Sequence, residues 1–171
     1  MLSIRPATRD DVALILEFIR LLAEYEREPQ SAVATAADIL RDGFNTTQPR
    51  FHVVIADWDG KPAGFAFYFF NYSTWMGKPG LYLEDLFVKP EFRGKGIGKS
   101  LMQHLAQIAV RENCYGMRWQ VLDWNTPAID FYESFGGKLL QEWITVRVMG
   151  DELRQLAEGS ARLKVQGSSE K

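Results

Sequence analysis

The clearest chemical signal in the chain is a glycine-rich run, Arg93-Gly94-Lys95-Gly96-Ile97-Gly98, between a predicted strand and a predicted helix. Glycines at such a junction let backbone amides face inward at a helix N-terminus, an arrangement that binds anions. The run is not a nucleotide P-loop, and Leu101 stands where a dinucleotide fingerprint needs its last glycine. With the charges of Arg93, Lys95 and Lys99, the run predicts a pyrophosphate cradle. The alternative is that its glycines only relieve crowding where a strand meets a helix.

The elements around this run follow from hydrophobic periodicity and turn residues. Thr8 with Asp11, and Thr35 with Asp38, have capping-box spacing and predict two helix starts. Predicted helices begin at residue 12, cover 36–41 with Gly43 as a stop, follow the glycine-rich run, and extend from Thr126-Pro127 to Gly136-Gly137, with a further helical turn over 151–157. Predicted strands cover residues 3–5, 51–58, 63–72, 81–88, 117–122 and 138–149, with Asp59-Gly60 as a hairpin turn.

Length and charge limit the classes of protein that fit. The 171 residues suit about one domain, which we expect over residues 1–158, followed by a polar, flexible tail over 159–171. Twenty Lys and Arg against 22 Asp and Glu leave a net charge of −2, without the basic excess that nucleic-acid binding usually needs. We therefore expect no nucleic-acid partner.

Cysteine and histidine usage makes a metal or disulfide scaffold improbable. Cys114 is the single cysteine, and His52 and His104 have no metal-ligand spacing, so we expect no metal site. One cysteine fits a reducing compartment. No signal-like segment begins the chain and no apolar run reaches the length of a bilayer span, so we expect a cytoplasmic protein without a membrane partner.

Three motifs in one order resemble a known family. The run R-G-K-G-I-G is similar to the R/Q-x-x-G-x-G/A acetyl-CoA signature of the GNAT acetyltransferase superfamily. Residues 82–88 (YLEDLFV) and 124–132 (WNTPAIDFY) resemble its diamine (spermidine/spermine) acetyltransferase branch and the thialysine-acetylating relatives. The resemblance extends through residues 5–8, Tyr25-Glu26 and residues 42–44 to nearly the whole chain up to about Gly150.

The resemblance implies a fold, a reaction and an assembly. The fold is α/β (α+β), with a mixed, mostly antiparallel sheet that is flanked by helices and has a splayed pair of parallel strands. The reaction transfers the acetyl group of acetyl-CoA to a primary amine of a small molecule (a polyamine, a diamine, or thialysine or a lysine-like amine) by direct attack in a ternary complex. A homodimer is implied as well. The alternatives are acetylation of a protein N-terminus or lysine, and a non-catalytic acyl-CoA-binding sensor.

The resemblance also places the cosubstrate, acetyl-CoA, along this chain. Pantetheine would pair with the backbone of the strand before the glycine-rich run, and the run itself would hold the pyrophosphate, with Asn125 further along as a cofactor ligand or as a helix cap. The cofactor residues implied are Leu86, Phe87, Val88, Arg93, Gly94, Lys95, Gly96, Ile97, Gly98, Lys99, Asn125 and Tyr132.

Direct attack requires a proton acceptor and favours a proton donor. An amine near pKa 10.4 must lose a proton before or during attack. Glu84 matches the family's proposed base, which would act directly or through a water relay. The alternatives for Glu84 are a substrate anchor and a structural ion pair. Asp85, expected on the opposite strand face, is structural or orients the substrate. Tyr132 matches the catalytic tyrosine and would assist departure of the coenzyme A thiolate.

The amine site is the least specified part of the chain. Acidic and aromatic residues near the end of the first helix suit a cationic amine, as do the acidic residues of the predicted strand 81–88. The implied substrate residues are Tyr25, Glu26, Glu84, Asp85 and Trp143. The segment from Gly137 to Trp143 lacks the acidic run of the diamine branch, so the sequence does not select one amine.

Overall fold

The structure is a computed structural model that describes residues 1–159. The chain divides into two units, Met1–Leu122 and the part that begins at Asp123. The single domain over residues 1–158 therefore stays a prediction. The predicted tail lies outside the described residues except for Gly159.

The first unit is built on a five-stranded sheet in which the strand order follows the chain order. The first four strands pair antiparallel with their neighbours, and the fourth and fifth pair in parallel, which confirms the predicted mixed sheet. The strands are β1 (Leu2–Pro6), β2 (His52–Trp58), β3 (Lys61–Ser73), β4 (Lys78–Val88) and β5 (Met117–Arg118). Asp59 and Gly60 have φ of 50° and 75°, so they form the expected hairpin turn between β2 and β3.

Three helices of the first unit are α1 (Val12–Tyr25), α2 (Ala36–Ile39) and α3 (Ile97–Arg111). The predicted capping boxes are present: the Thr8 amide donates to the Asp11 carboxylate at 2.7 Å around the 3-10 turn Arg9–Asp11 that leads into α1, and the Thr35 amide donates to the Asp38 carboxylate at 3.0 Å at the start of α2. Satisfying these otherwise free amides stabilises the helix entries by about 1 kcal/mol each. Ion pairs of Arg5 with Asp11 and with Asp57 further connect β1 to the entry of α1 and to β2.

Alternate positions of the strands pack against α1. The rings of Phe18 and Phe65 stack with centroids 5.0 Å apart, and Phe87 lies 6.3 Å from Phe18. All three are buried, as are Ile15 and other apolar residues of the same cluster. At one end of the sheet, Lys89 pairs with Glu17 at 2.7 Å. This core fixes α1 over the end of β4, where the candidate site lies.

Two elements of the first unit have different bounds in the structure from those predicted from the sequence. The helix predicted over residues 36–41 ends at Ile39 and continues as a π-helical turn, Leu40–Phe44, that contains Gly43. A Cβ at Gly43 would lie 2.5 Å from the Phe51 ring, so this glycine serves close packing rather than as a helix stop. The strand predicted over residues 117–122 is β5, which extends only from Met117 to Arg118 because its ladder with β4 covers two residue pairs.

The second unit contains helices α4 (Thr126–Glu133) and α5 (Gly150–Ala157) in its described part. The strand predicted over residues 138–149 is wrong in this structure, because no strand of residues 1–159 supplies it with a ladder. Its alternating side chains Ile144 and Val146 are each 87% exposed. An alternating pattern without a backbone partner does not form a strand. No helix of the described chain is long and apolar enough to cross a membrane.

Candidate functional site

A β-bulge in β4 places two adjacent carboxylates where the strand would otherwise be regular. Asp85 pairs with Phe67 and Leu83 pairs with Tyr68, so Glu84 is an extra residue in β4 without a counterpart in β3. Such bulges occur often beside active sites, where they redirect side chains. We call Glu84 and Asp85 the acidic bulge. Glu84 is exposed and Asp85 is half-buried, so the two carboxyl groups differ in environment, and their placement on opposite strand faces stays a prediction.

Asp85 is the most perturbed carboxyl group of the site. Burial, followed by the negative charges of Glu84 and Glu26, raises the pKa of Asp85 to about 7. Burial also raises the pKa of Glu26, which follows the last residue of α1. A cation bound among these carboxyl groups would relieve their mutual repulsion. The arrangement therefore favours a ligand that carries a positive charge.

The glycine turn, which we define as residues 94–99, follows β4 and includes the first residues of α3. Gly94 and Gly96 have φ of 76° and 77°, and a Cβ at either position would have no neighbour within 4 Å. The glycines are therefore needed for the left-handed backbone, and the alternative that they relieve crowding is wrong at these two positions. Gly96 caps α3 without a side-chain hydrogen bond, so the first-turn amides have no side-chain cap that would compete with an anion.

The edge of β4 next to the glycine turn carries backbone groups that can pair with a ligand. Its parallel ladder with β5 ends at Tyr82, and no strand of residues 1–159 pairs with that edge beyond it. The Lys89 amide donates to the Ala63 carbonyl at 2.8 Å. In an antiparallel ladder, the backbone amide and carbonyl of every second residue point to the same neighbouring strand. The backbone groups of Phe87 therefore point to β3, as the Lys89 amide does, and those of Leu86 and Val88 point to the open edge.

The basic side chains near the turn contact aromatic rings. The Lys95 ammonium lies 5.3 Å from the Trp58 ring centroid and 5.0 Å from that of Phe92. The Arg93 guanidinium carbon lies 4.8 Å from the ring centroid of Tyr25, and its Nε donates to the Val88 carbonyl at 3.0 Å. Lys99 is exposed in the first turn of α3.

The remaining predicted site residues belong to the second unit. Asn125 is 7% exposed, and its side chain accepts a hydrogen bond from the Ala128 amide at 3.4 Å, which caps α4. Tyr132 lies in the last turn of α4, where its carbonyl accepts from the Gly137 amide and a Cβ at Gly137 would approach that oxygen to 2.8 Å. Trp143 is 68% exposed.

The sequence prediction missed the bulge and one residue beside it. Tyr82 stacks on Phe69 with ring centroids 5.0 Å apart, and burial followed by the Glu84 charge raises the pKa of its phenol. Glu84 thus acts electrostatically on both Tyr82 and Asp85. The bulge is a register shift against β3, and we find no local sequence signal that marks it.

Comparison with known proteins adds the family to this geometry. The model of the acetyltransferase (GNAT) family matches residues 15–137, which include β4, the glycine turn and α3. The chain belongs to the acetyltransferase (GNAT) family. Members of the family use acetyl-CoA as cosubstrate, and this GNAT protein is an N-acetyltransferase. The open β4 edge and the uncapped amides of α3 fit the amide groups and the pyrophosphate of that cosubstrate.

Individual relatives agree with the family assignment. Thialysine N-epsilon-acetyltransferase of Bos taurus is 38% identical over 165 residues, 90% of this chain and 96% of that protein. Spermidine/spermine N(1)-acetyltransferase-like protein 1 of Homo sapiens is 38% identical over 165 residues, 91% of this chain and 24% of that protein. Among solved structures, an integron cassette protein of V. cholerae has a TM-score of 0.75 and 31% identity, and the match covers 92% of this GNAT chain and 98% of that one.

Proposed function

We propose that this acetyltransferase acts on a primary amine of a small cationic molecule of the thialysine, lysine-like or polyamine class. The observation that carries the proposal is the acidic bulge, in which the charges of Glu84 and Glu26 both act on the partly buried Asp85. An ammonium group is the ligand that best compensates these charges. The relatives named for thialysine and for spermidine/spermine support the same class.

The proposed reaction is one direct transfer. The deprotonated amine nitrogen attacks the acetyl carbonyl carbon of acetyl-CoA, an N–C bond forms, and the C–S bond of the thioester breaks. The ammonium nitrogen loses two protons overall. Glu84 is the proposed acceptor of the first, directly or through a water molecule, and this proton is the one released to solvent; the second leaves the nitrogen on attack and balances the proton that the leaving thiolate takes up. The products are the N-acetylated amine and coenzyme A as the thiol, and ionised Asp85 orients the amine.

Acetyl-CoA would be held by the open edge and the glycine turn. Leu86 offers its backbone amide and carbonyl to pantetheine, and Val88 offers its amide, since the Val88 carbonyl accepts from Arg93 Nε. By the alternation of the ladder, the backbone of Phe87 pairs with β3 instead. Gly94, Gly96 and the first amides of α3 would bind the pyrophosphate, with Lys95 and Lys99 adding positive charge. The predicted roles of Asn125 as a cofactor ligand and Tyr132 as a cofactor contact remain part of this proposal.

Tyr132 is the proposed proton donor to the departing thiolate. A phenol is neutral at pH 7, so it can donate to sulfur without repelling the phosphates of coenzyme A. Replacement by Phe keeps the ring and removes this donor. We expect the Tyr132→Phe variant to lose about a hundredfold in kcat.

Coenzyme A release measured with a panel of amines tests the function. The panel contains thialysine, lysine, putrescine, spermidine and a short peptide with a free N-terminus, each with acetyl-CoA, beside a titration of acetyl-CoA alone. We expect turnover with one class of small amines and none with the peptide. Mass spectrometry then locates the acetyl group on the amine nitrogen.

Two results would contradict the proposal. Turnover of the peptide alone would favour the protein-acetylating alternative, which needs a broader groove than a small amine does. Binding of acetyl-CoA without turnover of any amine in the panel would favour the sensor. The retention of Glu84 and Tyr132 supports an enzyme over a sensor.

We further propose a homodimer in the cytoplasm. Exposed aromatic and apolar side chains at the end of the β3–β4 hairpin, namely Tyr72, Trp75 and Met76, support a subunit contact. One cysteine, Cys114, supports a reducing compartment. Light scattering of the purified protein tests the assembly, and cell fractionation tests the compartment; a monomer or a secreted protein would contradict these proposals.

A further inference from the structure

Arg93 connects the end of α1 to the cofactor edge of β4. Its Nε donates to the Val88 carbonyl at 3.0 Å, while its guanidinium carbon lies 4.8 Å from the ring centroid of Tyr25 and 5.7 Å from that of Phe87. Tyr25 is the last residue of α1, and Phe87 and Val88 are the last residues of β4. One exposed side chain therefore touches both elements that carry the candidate amine and cofactor residues.

The contacts differ from those expected of a phosphate-binding arginine. The sequence predicts that Arg93 adds positive charge to the pyrophosphate cradle. In the structure its Nε donates to the Val88 carbonyl, and its guanidinium carbon lies over the rings of Tyr25 and Phe87. A planar guanidinium can donate sideways and stack at the same time, which a lysine ammonium does not reproduce.

Leu21 and Leu22 pack the last turns of α1 against the core, and Arg93 adds a contact at the final residue, Tyr25. The ion pair of Lys89 with Glu17 fixes the middle of α1, about 12 Å along the helix axis from Tyr25 at 1.5 Å per residue. Helix ends fray unless tertiary contacts hold them. Glu26 follows Tyr25 directly, and its charge acts on Asp85, so the position of the α1 end sets the position of one of the three carboxylates.

We propose that Arg93 is a positioning residue: its side chain fixes the amine-binding end of α1 against the cofactor strand and contributes to amine affinity rather than to pyrophosphate binding. This inference rests on the proposed function for its kinetic readout. It assigns different roles to two cations of the same loop, because Lys95 keeps its proposed role towards the cofactor.

Four variants test this assignment. Arg93→Gln removes both the positive charge and the planar guanidinium group. Arg93→Lys keeps the charge but removes the planar group and its fixed N–H donors. Lys95→Gln removes a charge from the glycine turn, and Lys89→Gln removes the other cation that connects β4 to α1. For each variant, kcat, the KM for the amine and the Kd for acetyl-CoA are measured with the amine that the wild type acetylates.

We expect Arg93→Gln and Arg93→Lys to raise the amine KM about fivefold, with the acetyl-CoA Kd within about twofold of the wild type. Lys95→Gln should raise the acetyl-CoA Kd and leave the amine KM within about twofold. Lys89→Gln should lower the stability of the fold but should not change the amine KM and the acetyl-CoA Kd by different factors. A wild-type amine KM in Arg93→Lys would overturn the proposal, because charge alone would then suffice. An acetyl-CoA Kd raised as much in Arg93→Gln as in Lys95→Gln would also overturn it, because Arg93 would then act on the cofactor through its charge.

A second measurement does not require turnover. Hydrogen exchange of the last-turn amides of α1, including the Glu26 amide that donates to the Leu22 carbonyl, reports how firmly that end is held. We expect about fivefold faster exchange in Arg93→Gln and no change in Lys95→Gln. Equal exchange in both variants would overturn the positioning role, whereas absence of turnover in the wild type with every amine would contradict the proposed function alone.

Discussion

The acidic bulge and the glycine turn belong to one continuous stretch of chain but have opposite chemistry. In the bulge, side chains carry the proposed function: Glu84 and Asp85 are carboxyl groups, and Asp85 is partly buried. In the turn, the backbone carries it: Gly94 and Gly96 have positive φ and open space around them, and the helix amides that follow have no side-chain cap.

In the proposed reaction, this difference would separate the binding sites of the two ligands. The bulge favours a cation such as an ammonium group, and the turn favours an anion such as a pyrophosphate. Residues 86–88 lie between the two regions, where backbone groups at an open sheet edge suit the neutral amides of pantetheine. Changes in one region should therefore alter one ligand and spare the other.

The largest expected effect concerns stability and the charge of the bulge. Native Asp85 keeps its proton up to a pKa of about 7, whereas its ordinary value is 3.8, so the native state binds more protons between these values and stability falls as pH rises through them. Asp85→Asn has no carboxyl group to ionise, so it avoids this loss of stability at high pH. We expect it to gain up to about 4 kcal/mol over the wild type at pH 8 and nothing at pH 3.5, by urea unfolding.

A matched substitution controls for the chemistry of the Asp85→Asn change. Asp130 is exposed on α4, and Asp130→Asn should change the unfolding free energy by less than about 0.5 kcal/mol at either pH. A gain in Asp85→Asn that is the same at pH 3.5 and pH 8 would show that the carboxyl is not ionised unfavourably in the native state.

The second effect separates catalysis from binding. Glu84→Gln should lower kcat about a hundredfold while the acetyl-CoA Kd stays within about twofold, because the proposed base does not contact the cofactor site. Glu91→Gln changes an exposed glutamate between the bulge and the glycine turn and should leave both constants unchanged. A higher amine KM at unchanged kcat would instead make Glu84 a substrate anchor.

The third effect belongs to the glycine turn. Gly96 and Gly60 have φ of 77° and 75°, both in open space, so Gly96→Ala and Gly60→Ala should each cost about 1 to 2 kcal/mol of stability from backbone strain. Only Gly96→Ala should raise the acetyl-CoA Kd, by about tenfold, in calorimetric titration. Equal acetyl-CoA affinity in the two variants would remove the turn from the cofactor site.

The smallest effect is a change of pH dependence. The negative charge of Glu26 helps to raise the pKa of Asp85, so Glu26→Gln should lower that pKa. If ionised Asp85 orients the amine, kcat/KM for the amine rises with pH through about 7, and Glu26→Gln moves this rise to lower pH by less than about one unit. A shift to higher pH would contradict the electrostatic account.

Local patterns predicted the parts of the molecule that local chemistry determines. Residues near each other in the chain determine the Asp59-Gly60 hairpin, the capping boxes in the turn before α1 and at the start of α2, and the helix after the glycine turn. The bulge at Glu84 depends on the register against β3, and the packing of Gly43 depends on how the chain folds back to bring Phe51 against it. No pattern within β4 or around Gly43 contains that information.

The incorrect strand has the same cause. Residues 138–149 have the alternation of a strand, but a strand requires a partner backbone, and alternation does not specify one. For the site, the sequence and its family resemblance gave the candidate residues, whereas the contacts of Arg93 with Tyr25 and Val88 and of Tyr82 with Phe69 are seen only in the structure.

One measurement tests the division between the two regions most directly: the acetyl-CoA Kd and the amine KM determined side by side for Glu84→Gln, Asp85→Asn and Gly96→Ala. The account predicts that the two bulge variants change only amine kinetics and that Gly96→Ala changes chiefly acetyl-CoA binding. If Asp85→Asn weakened acetyl-CoA as much as Gly96→Ala does, or if Gly96→Ala changed only the amine KM, the assignment of cation and anion to these regions would be contradicted.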